Sequence, residues 1–126
     1  MRQEACVPLN DVLTEFELSV KKQIKEYFFN KRRNFDFSFA IKYGTPFQKR
    51  VWCELCKIPY SATCTYSEIA LRIGNCRASR AVGSACNKNP LLLVIPCHRV
   101  IAAQGRLAGF SCGVKIKTFL LDIEKN

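Results

Sequence analysis

The 126 residues carry 20 Lys and Arg against 10 Asp and Glu, a formal net charge of +10, and 48% of them are hydrophobic. That length supports one compact domain, or one domain with a small appendage. No apolar run reaches the roughly 20 residues of a membrane-spanning helix, and Met1–Ala5 lacks the apolar region of a secretory signal. An intracellular protein is therefore expected, cytoplasmic or, in a eukaryote, nuclear.

From about Asn10 to Asn30 the residues Leu13, Phe16, Val20, Ile24, Tyr27 and Phe28 recur at helical spacing, which predicts an amphipathic helix. Phe35, Phe37, Phe39 and Ile41 then alternate with Asp36, Ser38, Ala40 and Lys42, the pattern of a half-buried strand. Thr45-Pro46-Phe47-Gln48 is a helix start: threonine caps, proline suits the first turn, and glutamine completes a capping box. Phe47, Val51, Trp52, Leu55 and Ile58 form its buried face, and Pro59 stops it. Thr65-Tyr66-Ser67-Glu68 repeats the capping-box signal, and Gly74 supplies a helix stop. The turn Gly74-Asn75-Cys76-Arg77 and the small-residue segment Ala78–Cys86 complete a helix-turn-helix outline. Asn87-Lys88-Asn89-Pro90 turns into the apolar run Leu91–Ile95, Gln104-Gly105-Arg106 reads as a tight turn, and Gly109–Gly113 as a glycine-flanked loop. A last amphipathic helix follows, with Ile116, Phe119, Leu120 and Ile123 inward.

From Ile69 to Leu121 there is no Asp or Glu, while Arg72, Arg77, Arg80, Lys88, Arg99, Arg106, Lys115 and Lys117 fall in that stretch. A one-signed stretch suits a polyanion such as nucleic acid; the bland alternative is a solvated basic surface. Eight cysteines are many for this length, but a disulfide framework does not suit a reducing compartment. Cys53-Glu54-Leu55-Cys56 has metal-like spacing. No second such pair follows and His98 is the only histidine, so the two cysteines read as helix-interior hydrophobes and no metal site is expected.

Ile95-Pro96-Cys97-His98-Arg99-Val100-Ile101 sets a thiol beside that single histidine. A cysteine nucleophile needs a base or a cation to become a thiolate. Neighbouring side chains on a strand point to opposite faces, so the pair alone proves little.

Together with Gly44-Thr45-Pro46-Phe47-Gln48, Tyr66-Ser67-Glu68, Arg80-Ala81-Val82-Gly83, Asn89-Pro90 and the Gly109–Gly113 loop, all in family order, this motif resembles the O6-alkylguanine-DNA alkyltransferases. The resemblance runs from about Gly44 to Glu124. It implies an α+β fold: a mainly helical C-terminal alkyltransferase domain at 44–126 with a winged-helix-like helix-turn-helix, preceded by a truncated helix-plus-strand segment at 1–43. It implies that Cys97 accepts the alkyl group, that His98 takes the thiol proton through a bridging water, and that Glu124 orients the histidine and stabilises its cation. Tyr66 would donate toward guanine N3, Ser111 would lie near guanine O6, Asn89 would brace the turn beside the cysteine, and Arg80 would fill the stack left by a flipped nucleotide. Phe110 would form a pocket wall without the hydroxyl of some members, and Cys112 stands where some have glycine. Val100, Ala78, Ser79, Cys86 and Arg99 complete the residues assigned to substrate or DNA.

The function implied is direct reversal of DNA damage without a cofactor. The protein, a monomer, would work from the minor groove of duplex DNA containing O6-alkylguanine and be consumed in one turnover. The competing functions are a non-catalytic lesion-binding relative, which typically lacks the reactive cysteine, a helix-turn-helix regulator, and a cysteine hydrolase. The regulator has no use for Pro96–Arg99, and no sequence feature announces the hydrolase's oxyanion hole.

Overall fold

A computed structural model of the chain describes residues 6–105 and 113–125, with side chains from Glu15 onward except Gln104. The expectations for Arg106, Phe110, Ser111 and Cys112 lie outside the described residues. Contacts divide the chain into two units, Met1–Phe39 and Ala40–Asn126.

The first unit is built on helix α1, Cys6–Phe28. Asn30, at φ +62°, ends it: its N–H donates to the Tyr27 carbonyl, and that of Lys31 to the Glu26 carbonyl at 2.7 Å. This is the left-handed helix stop that asparagine tolerates. The chain then folds back along α1. Gln23 accepts from the Asp36 backbone N–H at 3.0 Å, and Phe35 stacks on Tyr27 with ring centroids 5.7 Å apart. The expected strand over 35–41 is not formed. Phe35 and Phe37 keep part of the alternation by packing against α1 aromatics, but extended chain becomes a strand only by pairing its backbone, and no described strand pairs with it.

The second unit contains α2 (Pro46–Leu55), β1 (Cys64–Thr65), α3 (Tyr66–Arg72), α4 (Ser79–Asn87), a 3₁₀ turn at Cys97–Arg99, β2 (Val100–Ile101) and α5 (Val114–Lys125). Both expected capping boxes form. Thr45 Oγ1 accepts from Gln48 N–H while Gln48 Oε1 accepts from Thr45 N–H, and Thr65 and Glu68 repeat the exchange. The helix at 46 ends at Leu55, ahead of Pro59. Cys53 and Cys56 are exposed and not helix-interior hydrophobes, because the buried face of α2 is Val51, Trp52 and Leu55.

The helix-turn-helix forms as expected from α3 and α4. Asn75 shapes its turn by accepting from the Arg77 N–H at 3.2 Å. Alanine and glycine on α4 let its neighbours come close: Trp52 Nε1 donates to the Ala85 carbonyl at 2.8 Å, and the Tyr66 ring lies over Gly83. Gly44 is demanded on two counts. Its φ is +113°, and a Cβ there would meet the Trp52 ring at 2.6 Å.

β1 and β2 pair in parallel, Cys64 with Val100 and Thr65 with Ile101. This short sheet fixes Tyr66, which directly follows β1, and the Cys97–Arg99 turn, which directly precedes β2. The core beneath it joins Val51, Trp52, Leu55, Ile69, Val82, Ile95 and Val100. On α5 the buried residues are Lys117, Leu120, Ile123 and Glu124, while Ile116 and Phe119 are exposed, against expectation. The helix is rotated so that two charged side chains face inward. Among the described residues, no helix is long and apolar enough to cross a membrane.

Candidate active site

Cys97 is buried at the start of the 3₁₀ turn, with the sequence before it held by Asn89. Asn89 Nδ2 donates to the Ile95 carbonyl at 2.7 Å, its Oδ1 accepts from Leu91 N–H at 2.8 Å, and its own N–H donates to the Cys86 carbonyl of α4. One residue, through its backbone on one side and its side chain on the other, thus ties the end of the helix-turn-helix to the segment that delivers the cysteine. The same segment holds Leu93 at φ +76°, a conformation that strains a branched side chain and persists only where its surroundings enforce it.

His98 is fully buried, and its Nε2 lies 2.7 Å from Glu124 Oε2. Glu124 also accepts from Arg99 Nε at 2.8 Å, Arg99 Nη2 at 2.9 Å and the Ser61 backbone N–H at 3.2 Å. Arg99 is anchored in turn by donating to the Ile58 carbonyl at 2.8 Å. With Nε2–H donating to the carboxylate, Nδ1 is the basic ring nitrogen. It is buried and has no hydrogen-bond partner among the described residues. Burial is the main force pushing the His98 pKa below 6.5; Glu124 pulls it back up, while the charges of Arg99 and Lys117 add to the push. Burial outweighs the pull of Glu124, so the carboxylate orients the imidazole while leaving it neutral.

This has a sign for stability. Unfolded, His98 takes up a proton near pH 6.5; folded, it does so only at lower pH, so acid favours the unfolded chain. The contribution is complete above pH 6.5 and is lost as pH falls through the folded value, with a slope of up to about 1.4 kcal/mol per pH unit. Melting temperature measured from pH 7 to pH 5 is expected to fall in the wild type and to fall less in His98→Gln. Parallel curves would refute it.

Tyr66, at the first turn of α3, is half-buried, and its phenol is pushed up to about 12, first by burial and then by the Cys86 and Cys97 thiols. It therefore keeps its proton at neutral pH. Cys86 is likewise pushed up to about 12, chiefly by burial, and remains a thiol.

Several residues expected to face DNA point inward. Cys86 is on the buried stripe of α4 with Val82 and Ala85, Ala78 and Val100 belong to the core, and Arg99 spends its guanidinium on Glu124. The side chain of Ser79 is half-buried, its hydroxyl 3.2 Å from that of Ser67. The outer face of α4 carries Arg80, Ala81, Ser84 and Asn87. Arg72, Arg77, Lys88 and Lys115 are exposed too, so the acid-free stretch does present a cationic surface, though Arg99 and Lys117 are not part of it. Sequence reading missed the Ser61 backbone donor and the burial of Lys117. The spacing of Lys117 to Leu120 and Ile123, three and six residues on along the same helix face, was the available signal for the second.

Residues 46–126 match the pattern of the 6-O-methylguanine DNA methyltransferase DNA-binding domain. The chain belongs to this methyltransferase family. It is 50% identical over 112 residues to the methylated-DNA–protein-cysteine methyltransferase of Methanosarcina barkeri, covering 89% of this chain and 70% of that protein. A crystal structure of Mycobacterium tuberculosis OGT in complex with DNA superposes with a TM-score of 0.82 at 44% identity, over 85% of this chain and 66% of that one. Schizosaccharomyces pombe Atl1, in complex with DNA containing O6-carboxymethylguanine, matches at TM-score 0.56 and 34% identity, over 63% of this chain and 75% of that one. The chain thus spans about two thirds of the M. tuberculosis methyltransferase. Within the family, the described geometry is that of a buried thiol, a neutral histidine and a clamped carboxylate behind a helix-turn-helix.

Proposed function

We propose that this chain repairs DNA by direct reversal, moving a methyl or other alkyl group from guanine O6 to Cys97 once per molecule. The observation that carries the reading is the buried Glu124–His98 pair beside Cys97, with the basic Nδ1 of the imidazole left for a proton. The thiol proton passes to Nδ1 through a water, which lets side chains of adjacent residues cooperate without sharing a face. Sulfur attacks the alkyl carbon in line. The S–C bond forms as the C–O6 bond breaks, and the bonding electrons leave with guanine. Tyr66, protonated at neutral pH, donates toward N3 of the departing base and lowers the barrier. The family resemblance assigns Ser111 to the guanine O6 and Phe110 to a pocket wall; both lie outside the described residues. The thioether is stable, so the protein is consumed, and no cofactor is needed.

O6 lies inside the base stack, so the nucleotide must be flipped out. In this reading Arg80, which is exposed on α4, fills the gap from the minor groove, and the cationic surface holds phosphates. The chain acts as a monomer in the compartment that holds the DNA.

The match to Atl1, a structure in complex with damaged DNA, keeps lesion binding without transfer as a second reading; Cys97 and its base speak for transfer. Incubation with duplex DNA bearing O6-methylguanine, followed by intact mass, separates the two. The expected result is a gain of one methyl group per molecule, absent in Cys97→Ala. Tight lesion binding with no gain in mass would establish the second reading instead.

A further inference from the structure

Lys117 is one of the cations of the acid-free stretch, yet its side chain is fully buried on the inner face of α5. An ammonium in such a place is costly unless its surroundings use the charge, since an apolar side chain of similar length would pack there more cheaply. The groups around it are specific. Lys117 Nζ donates to the backbone carbonyl of Val100, three residues after Cys97. It lies 5.8 Å from the centroid of the Tyr66 ring, within cation–π range. The Cys86 and Cys97 thiols are within electrostatic reach of it. Cys86 stays protonated at neutral pH, so of the two sulfurs it is that of Cys97 that becomes negative when its proton leaves in the transfer.

Helix α5 therefore serves both ends of one proton transfer. Glu124 pairs with His98, and Lys117, two turns earlier on the same face, reaches the Val100 carbonyl and the Tyr66 ring. When the thiol proton reaches His98, one anion and one cation appear. The anion forms on the Lys117 side and the cation on the Glu124 side.

We propose that Lys117 is a positioning residue of the transfer site: it holds the Val100 carbonyl and the Tyr66 ring in place, and its charge favours the Cys97 thiolate as the thiol proton leaves. This rests on the alkyl-transfer reading. The ionisable groups that share this face of the site are Tyr66 of α3, Cys86 of α4, His98 and Arg99 of the 3₁₀ turn, and Glu124 of α5.

The test is the pH dependence of Cys97 alkylation by iodoacetamide, assigned to Cys97 by peptide mapping, in the wild type, Lys117→Met and Lys117→Arg. Lys117→Met is expected to raise the midpoint by about one unit or more and to keep its melting temperature, because loss of a nearby cation disfavours the thiolate. Lys117→Arg is expected to return the midpoint toward the wild-type value. Transfer from O6-methylguanine duplex should fall about tenfold or more in Lys117→Met, in step with the midpoint. Lys117→Gln keeps a donor for Val100 without the charge, and takes the place of the Met variant if that one does not fold. An unmoved midpoint in the uncharged variant overturns the assignment, as does an equal shift in Lys117→Arg. A moved midpoint in a chain whose wild type takes no methyl from DNA refutes the transfer reading and leaves the Lys117 assignment standing.

Discussion

Glu124→Gln is expected to destabilise the second unit by about 3–5 kcal/mol and to slow alkyl transfer by about a hundredfold. The amide retains an acceptor for His98 Nε2–H, so the ring need not turn. What is lost is the negative charge that compensates Arg99, whose guanidinium is fixed between Glu124 and the Ile58 carbonyl with little access to water. An ion pair broken from one side leaves an unpaired buried charge, which costs more than the intact pair contributed. The loss of rate has a separate cause. Glu124 is the group that raises the His98 pKa against burial and two cations, so without its charge the imidazole is a weaker base. Denaturant unfolding and the second-order rate with O6-methylguanine duplex measure the two effects. Arg99→Met combined with Glu124→Leu should recover much of the stability and none of the rate. Recovery of both would show that the ion pair plays no part in the chemistry.

The second large effect is expected at Arg80. Arg80→Ala should slow transfer from duplex DNA by about 30-fold to 150-fold, because a side chain filling the vacated stack offsets part of a flipping cost of a few kcal/mol. Reaction with free O6-benzylguanine, which requires no flipping, should change less than about twofold, and stability should change little at so exposed a position. Equal losses on duplex and free base would remove Arg80 from the flipping step and return it to general phosphate binding.

Local signals were legible wherever neighbours along the chain do the work. Both capping boxes, the Gly74 stop and the helix-turn-helix turn follow from residues within four positions of one another, and all of them form. The Asn89 brace could be named only through a resemblance, yet its geometry is local as well: its partners Leu91, Ile95 and Cys86 all lie within six residues. The strand over 35–41 shows the limit of such reading. Alternation states which side chains want burial, and Phe35 and Phe37 obtain it against α1, but only a partner strand makes a strand.

The sequence by itself determined the family and the helices from Pro46 onward, because those are carried by ordered motifs and local caps from Gly44 to Glu124; it also nominated Cys97 and His98 as the thiol and its base. The tertiary structure decided how the charges are used. Arg99 and Lys117 look like further members of a DNA-facing stripe until α5 packs against the 3₁₀ turn and β2. There Arg99 finds Glu124 and Lys117 finds the Val100 carbonyl, 25 and 17 residues away along the chain. Whether a cation faces phosphate or a buried partner depends on which face of its element the fold covers. That is fixed by packing between distant segments, which no local pattern encodes.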